Sequence, residues 1–198
     1  MKTLKSIFLI VAVTFFTLQL NAQKKYSVDS KSTFEVAGTS TVHDWVMRST
    51  EGNGTAVFNI KDNKLNAINS LTVILPAESL KSSKTSMDNV AYEALDTKNN
   101  KTIEYLLKSA QKLSETSWEF TGSYTIAGVS KEYKTQVNIT ASNGNFILQG
   151  ANQVTFADFE MAPPKAALGV VKAGKDLTIL FNITLTDYAK NDNTLVIN

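Results

Sequence analysis

The sequence predicts an all-β protein of about eight antiparallel strands with a single short helix. Three observations carry this. Nearly every hydrophobic segment after residue 22 alternates with period two, the repeat of a half-buried strand. Turn-forming pairs, Ala127-Gly128 and Asn143-Gly144, separate such segments at hairpin spacing. One stretch alone, 86–95, has apolar residues at helical spacing. Short antiparallel strands in this number close into a barrel or stack as a sandwich.

The strand expected over 32–39 puts Phe34 and Val36 on one face. Segment 55–60 carries Ala56, Phe58 and Ile60. Segment 70–76 carries Leu71, Val73 and Leu75 and ends at Pro76, which has no N–H for a ladder. Segment 102–108 carries Ile103, Tyr105 and Leu107. The most regular stretch is 118–140. Its first arm sets Trp118, Phe120, Gly122, Tyr124 and Ile126 against Glu119, Thr121, Ser123 and Thr125. Its second arm sets Tyr133, Thr135, Val137 and Ile139 against Lys134, Gln136, Asn138 and Thr140. Asn143-Gly144, two residues tolerant of positive φ, joins it to a strand with Phe146 and Leu148 that continues toward Phe156. The last strand has Leu177, Ile179, Phe181, Ile183 and Leu185 on one face. In 86–95, Met87, Val90, Ala91, Ala94 and Leu95 form the apolar side of a helix, with Ser86 or Asp88 expected as its cap. That helix is expected to cover an open end of the β structure. The tail, 188–198, is polar and ends Leu195-Val-Ile-Asn, a short edge strand or a loose end.

The chain opens with Lys2 and Lys5, an apolar run over 7–18, and Asn21-Ala22-Gln23. This reads as a secretory signal peptide over 1–22, cut near Ala22. The run is shorter than the roughly 20 residues a membrane span needs, which argues against an uncleaved anchor. No later run approaches that length, so no stable membrane span is expected after cleavage. The expected location is the periplasm of a Gram-negative bacterium, or outside the cell. The sequence has no cysteine, so disulfides and a lipid anchor on that residue are excluded and the core must hold the fold. Residues 23–198 suit one domain. Two of the 20 basic residues, Lys2 and Lys5, fall in the leader, which leaves basic and acidic residues equal at 18. That balance points to neither nucleic acid nor an anionic membrane surface.

The stretch Gly122-Ser-Tyr-Thr-Ile-Ala-Gly128-Val-Ser-Lys131 resembles the signature of the YceI-like family, a strand ending Thr-Ile-x-Gly-Val-x-Lys. Three more regions are similar to that family. They are Tyr26-Ser-Val-Asp-Ser-Lys-Ser32, the helical region 80–95, and Asp158-Phe-Glu-Met-Ala-Pro-Pro164 followed by Val170-Val-Lys-Ala-Gly174. The four occur in order over nearly all of 23–198. The family's members have a lipocalin-like barrel and bind polyisoprenoid lipids. The resemblance therefore implies a lipocalin-like antiparallel barrel that binds, without catalysis, an isoprenoid or other long-chain lipid. One region departs. The commonest family pattern has a His followed by a small residue and Gly near the first loop, whereas here the chain reads Gly38-Thr-Ser-Thr-Val-His43-Asp-Trp45. This looks like a sub-branch with a His-Asp-Trp motif.

His43 is the only histidine. Ser40, His43 and Asp44 are too close in sequence to form a catalytic triad by themselves, and no Gly-x-Ser-x-Gly elbow is present. One His without Cys makes no ordinary zinc site, and no metal or cofactor is expected. Local hydrogen bonds around His43 and Asp44, with Trp45 packed at a barrel end, are the expected arrangement. Asp88, Glu93, Asp158 and Glu160 have no spacing that forces two carboxylates together.

The inward rows supply the expected lining. From the resemblance it comprises Phe34, Val36, Phe58, Val73, Leu75, Trp118, Phe120, Tyr124, Phe146, Leu148, Phe156, Ile179 and Phe181. His43, Trp45, Met87, Tyr92 and Lys172 are expected at a mouth or against a headgroup. Pattern alone leaves open whether such a barrel is packed dry or hollow. The family resemblance favours a cavity, and Gly122 and Gly150 are expected to leave room in the inner rows. The competing reading is a non-catalytic envelope or stress-related interaction module with a filled core. Nothing in the sequence sets an oligomeric state.

Overall fold

The computed structural model describes residues 22–189. Residues 1–21, on which nearly all of the signal peptide expected over 1–22 falls, and the tail end from 190 lie outside the described residues. Along the chain the strands are β1 (Ala22–Val28), β2 (Thr33–Ser40), β3 (Trp45–Ser49), β4 (Asn53–Lys61), β5 (Lys64–Pro76), β6 (Thr102–Lys112), β7 (Ser117–Ile126), β8 (Val129–Ser142), β9 (Asn145–Thr155), β10 (Lys165–Ala166) and β11 (Val171–Asp187). The helix α1 (Thr85–Ala94) lies between β5 and β6. Pairing runs β1-β4-β5-β6-β7-β8-β9-β11, and β11 pairs back onto β1. These eight strands form a closed antiparallel barrel.

The closure is shared by two partners. The end of β11 pairs with β1 through Tyr26–Asp187 and Val28–Leu185. Higher on β11, β2 takes that place, with Phe34 opposite Phe181 and Val36 opposite Ile179. The β2–β3 hairpin then completes the wall, because Arg48 of β3 exchanges both backbone hydrogen bonds with Lys81, at 2.8 and 2.9 Å. Ser32 seals the place where the chain leaves one partner role for the other. It is fully buried, and its hydroxyl accepts the N–H of Thr184 at 3.1 Å. A buried backbone donor at such a switch needs a partner from outside the ladder.

The alternation read from sequence has the stated faces. Every second residue of β7 from Trp118 to Ile126 is buried, and Thr135, Val137 and Ile139 are buried on β8. Both hairpin turns use left-handed pairs, Ala127-Gly128 (φ 49° and 79°) and Asn143-Gly144 (φ 52° and 81°). Three strands were not evident from the pattern, among them the two-residue β10. β1 is polar and buries chiefly Tyr26. β3 begins at Trp45, inside the region read only as a loop.

The helix start also differs. Neither Ser86 nor Asp88 caps it. Lys84 occupies the cap position without a side-chain bond, and Asp88 reaches back from the first turn to accept the N–H and hydroxyl of Ser82, both at 2.7 Å. Asp88 thus ties the preceding loop down while still placing negative charge at the positive end of the helix.

Candidate binding cavity

The barrel interior has two halves. At the β1 end it is solid. The rings of Tyr26, Phe58 and Phe146 pack mutually at 5.1–5.2 Å between centroids, and Trp118, Val137, Leu148 and Leu185 fill the space around them with at most 1% exposure. At the β2–β3 end the same inward rows do not meet. They enclose a cavity of about 660 Å³. Leu71, Val73, Phe120 and Ile183 belong both to the solid cluster and to the cavity wall, so the packed half is its floor.

The hollow half follows from what closes it. There the wall includes the β2–β3 hairpin, and α1 lies across the opening with Met87, Val90, Ala91 and Ala94 on the cavity. Alanines on that side fill little volume. Helix and hairpin hold together through Met47, Leu75 and Leu80, against which Met87 and Ala91 pack. On the opposite side, the turn at Phe156–Phe159 seats two buried phenylalanines on the cavity. That turn carries a reciprocal capping box. Thr155 Oγ1 accepts the N–H of Asp158 at 3.2 Å, and Asp158 Oδ2 accepts the N–H of Thr155 at 2.7 Å.

Tyr105, Tyr124 and Phe159 of the wall belong to a ladder of rings that Tyr133 completes from outside the lining. Tyr105 lies 4.9 Å from Tyr124, Tyr124 lies 6.0 Å from Tyr133, and Tyr133 lies 6.3 Å from Phe159. Burial pushes the Tyr105, Tyr124 and Tyr133 hydroxyls well above the ordinary phenol value, so they stay neutral. Behind Tyr124 sits a buried polar knot. Asn152 Oδ1 accepts the hydroxyls of Thr135 (2.6 Å) and Tyr124 (3.1 Å), and its Nδ2 donates to the Lys134 carbonyl at 3.1 Å.

Of the residues expected to line the interior, Phe34, Val36, Val73, Leu75, Phe120, Tyr124, Phe156, Ile179 and Phe181 are on the cavity wall. Phe58, Trp118, Phe146 and Leu148 are not. They lie in the solid half, because the rows they belong to converge there on Tyr26. The two inner glycines leave no room. The Tyr105 ring lies against Gly122 and the Phe181 ring against Gly150, each occupying the space a Cβ would take. The sequence shows a missing side chain, whereas the space it vacates is claimed from the neighbouring strand.

The cavity opens where its lining becomes exposed, at Lys84 before and Ser86 within α1, at His43 in the β2–β3 loop, and at Ala167. His43, Trp45 and Met87 border it. Tyr92 does not, since its hydroxyl donates to the carbonyls of Glu78 and Leu80 and pins the helix to the preceding turn. Lys172 stands beside the opening without lining it, and its N–H donates to Thr41 Oγ1 at 3.2 Å. Around His43 the bonds are local. Ser40 Oγ donates to the His43 carbonyl at 2.8 Å, and His43 Nδ1 lies 2.8 Å from the Asp44 carbonyl. The Trp45 ring covers Gly38, and its Nε1 donates to the Thr39 carbonyl at 2.9 Å. Sequence reasoning missed Met47 and Phe159, which become wall residues only through long-range packing, whereas Ala91 and Ala94 lie on the helix side expected to cover the open end. Among the described residues, no three His, Cys, Asp or Glu side chains gather as a metal site.

The family model for the YceI-like domain matches residues 25–185. The chain belongs to the YceI-like family. No curated protein has a matching sequence. Among solved structures, this YceI-like chain is similar to Burkholderia cenocepacia BcnA, with a TM-score of 0.68 at 13% identity over 80% of this chain and 99% of that one. It is also similar to a polyisoprenoid-binding domain from Saccharophagus degradans implicated in plant cell wall breakdown, with a TM-score of 0.62 at 12% identity over 82% and 98% of the two chains. A Campylobacter jejuni YceI protein matches with a TM-score of 0.55 at 18% identity, over 67% of this chain and 82% of that one. At these identities the likeness is one of fold.

Proposed function

We propose that this YceI-like protein holds an isoprenoid or similar amphiphilic lipid in the hollow half of its barrel and carries or sequesters it without chemical change. The observation that carries this reading is the cavity of about 660 Å³, walled by aliphatic and aromatic side chains and open at one end. The name of the Saccharophagus degradans relative as a polyisoprenoid-binding domain supports it. The cavity's volume falls within the roughly 300–1,000 Å³ of ligand pockets, and the open end lets a longer tail extend through the mouth. Burying even ten methylene-sized groups of a chain contributes about 8 kcal/mol before ordering costs, so no charged anchor is required. The filled-core alternative calls for an interior too small for such a chain.

The role is binding rather than catalysis. The Ser40 hydroxyl and the His43 Nδ1 both engage local backbone carbonyls and not each other. The His43-Asp44-Trp45 sequence marks a sub-branch in which this hairpin shapes the mouth. The leader read in 1–22 supports export, with cleavage near Ala22 and residence in the periplasm or outside the cell. Native mass spectrometry of the gently purified protein tests the central claim. A stoichiometric prenyl or long-chain lipid is expected. A protein that is empty and refuses added long-chain isoprenoids sinks the reading.

A further inference from the structure

The rim of the cavity carries the most exposed large apolar side chains among the described residues. Leu168 is fully in solvent at 107% relative exposure, Val170 is at 75% and Val42 at 65%. They come from two loops that are tied together. Thr41 donates its N–H to the Lys172 carbonyl at 3.0 Å and its hydroxyl to the Val170 carbonyl at 3.3 Å. Both loops border the opening, through His43 on one and Ala166, Ala167 and Val171 on the other. Ala167, Leu168 and Gly169 are successively left-handed (φ 49°, 52° and 87°), a course that alanine and leucine adopt at a conformational cost. Lys165 and Lys172, register partners and both exposed, flank the tips, and Asp44 is the one carboxylate in these loops.

We infer that this end of the barrel docks on a lipid bilayer, with Val42, Leu168 and Val170 inserted among the acyl chains and the cavity mouth facing the membrane. The inference rests on the reading of the cavity as a lipid site. A chain this insoluble has to enter from an apolar phase, and the mouth is where the protein itself becomes apolar outside. Single side chains projecting from loops need no complementary pocket, and a fluid bilayer is a phase that accepts them as they stand. Lysines beside them suit anionic headgroups. The overall charge balance says nothing of this, because it averages the rim with the rest of the surface.

The test is flotation with vesicles of phosphatidylethanolamine and phosphatidylglycerol containing no prenyl lipid, with native mass spectrometry run separately on the same proteins. The wild-type protein is expected to float. The V42D/L168D/V170D variant is expected to partition about a hundredfold less, since three inserted side chains become charged, while keeping its melting temperature. Leu168→Asp alone, at a side chain wholly in solvent, is expected to weaken flotation measurably and guards against misfolding of the triple variant. L106D/L113D, which alters exposed leucines away from the rim, is expected to float like wild type. Wild-type protein that does not float overturns the inference, as does a triple variant that floats equally. A dimer dispersed by the triple substitution without vesicle binding overturns it in favour of self-association. An empty cavity with docking intact would remove the lipid reading and leave the docking surface standing.

Discussion

Asn152 does with one side chain what the barrel otherwise does with its backbone ladder. Its amide satisfies two hydroxyls and one carbonyl inside an apolar wall, where unpaired polar atoms are costly. Asn152→Ala is expected to leave those three groups unpaired and to destabilise the fold by about 3 kcal/mol, read as a lowered urea midpoint. Alternation places Asn152 on the inner face in line with Leu148 and Val154, but nothing local distinguishes a polar inner residue that is partnered from one that faces a ligand. Tyr124 and Thr135 were legible as inward residues of adjacent strands. Their convergence on Asn152 needs the β8–β9 register. The same limit applies to Gly122 and Gly150, which read as gaps and are covered by Tyr105 and Phe181.

At the scale of elements, the β7–β8 hairpin was fully legible because its determinants are local. Two alternating arms and a left-handed pair specify it without help from the rest of the chain. The turn after β9 was not, since its capping box shows as Thr155-x-x-Asp158 within a segment that reads as the continuation of a strand. Asp158, ionised, accepts the N–H and the hydroxyl of Thr155, which holds its carboxyl below the ordinary aspartate value. As pH falls the unfolded chain therefore takes the proton first. The stabilisation is complete above the ordinary value of about 4 and is lost as pH drops through the lower folded-state value. Urea midpoints measured from neutral pH down into the acid limb are expected to fall less in Asp158→Asn than in the wild type. Equal falls would show that this turn does not contribute to acid sensitivity.

For the whole molecule, the cavity is set by what spans the open end. Ala91 lies on α1 and lines the cavity. Ala91→Trp is expected to fill part of the space and shorten the longest prenyl chain retained, while stability stays within about 1 kcal/mol of wild type because the new ring enters existing volume. Native mass spectrometry against isoprenoids of graded length reads this directly, and an unchanged length limit would place the bound chain elsewhere. The alternating strands, their inward faces, the 127–128 and 143–144 turns, the helix and the family were legible in the sequence itself, because a period-two repeat and a turn pair act over a few residues, whereas the order in which β1, β2 and β11 close the barrel depends on long-range pairing. Which inward residues pack dry and which stand around a void was decided only by the tertiary structure. Phe58, Trp118, Phe146 and Leu148 have the same local signature as Phe34, Phe120 and Phe181. They part company because β1 brings Tyr26 into one end of the barrel, while the β2–β3 hairpin and α1 close the other without filling it.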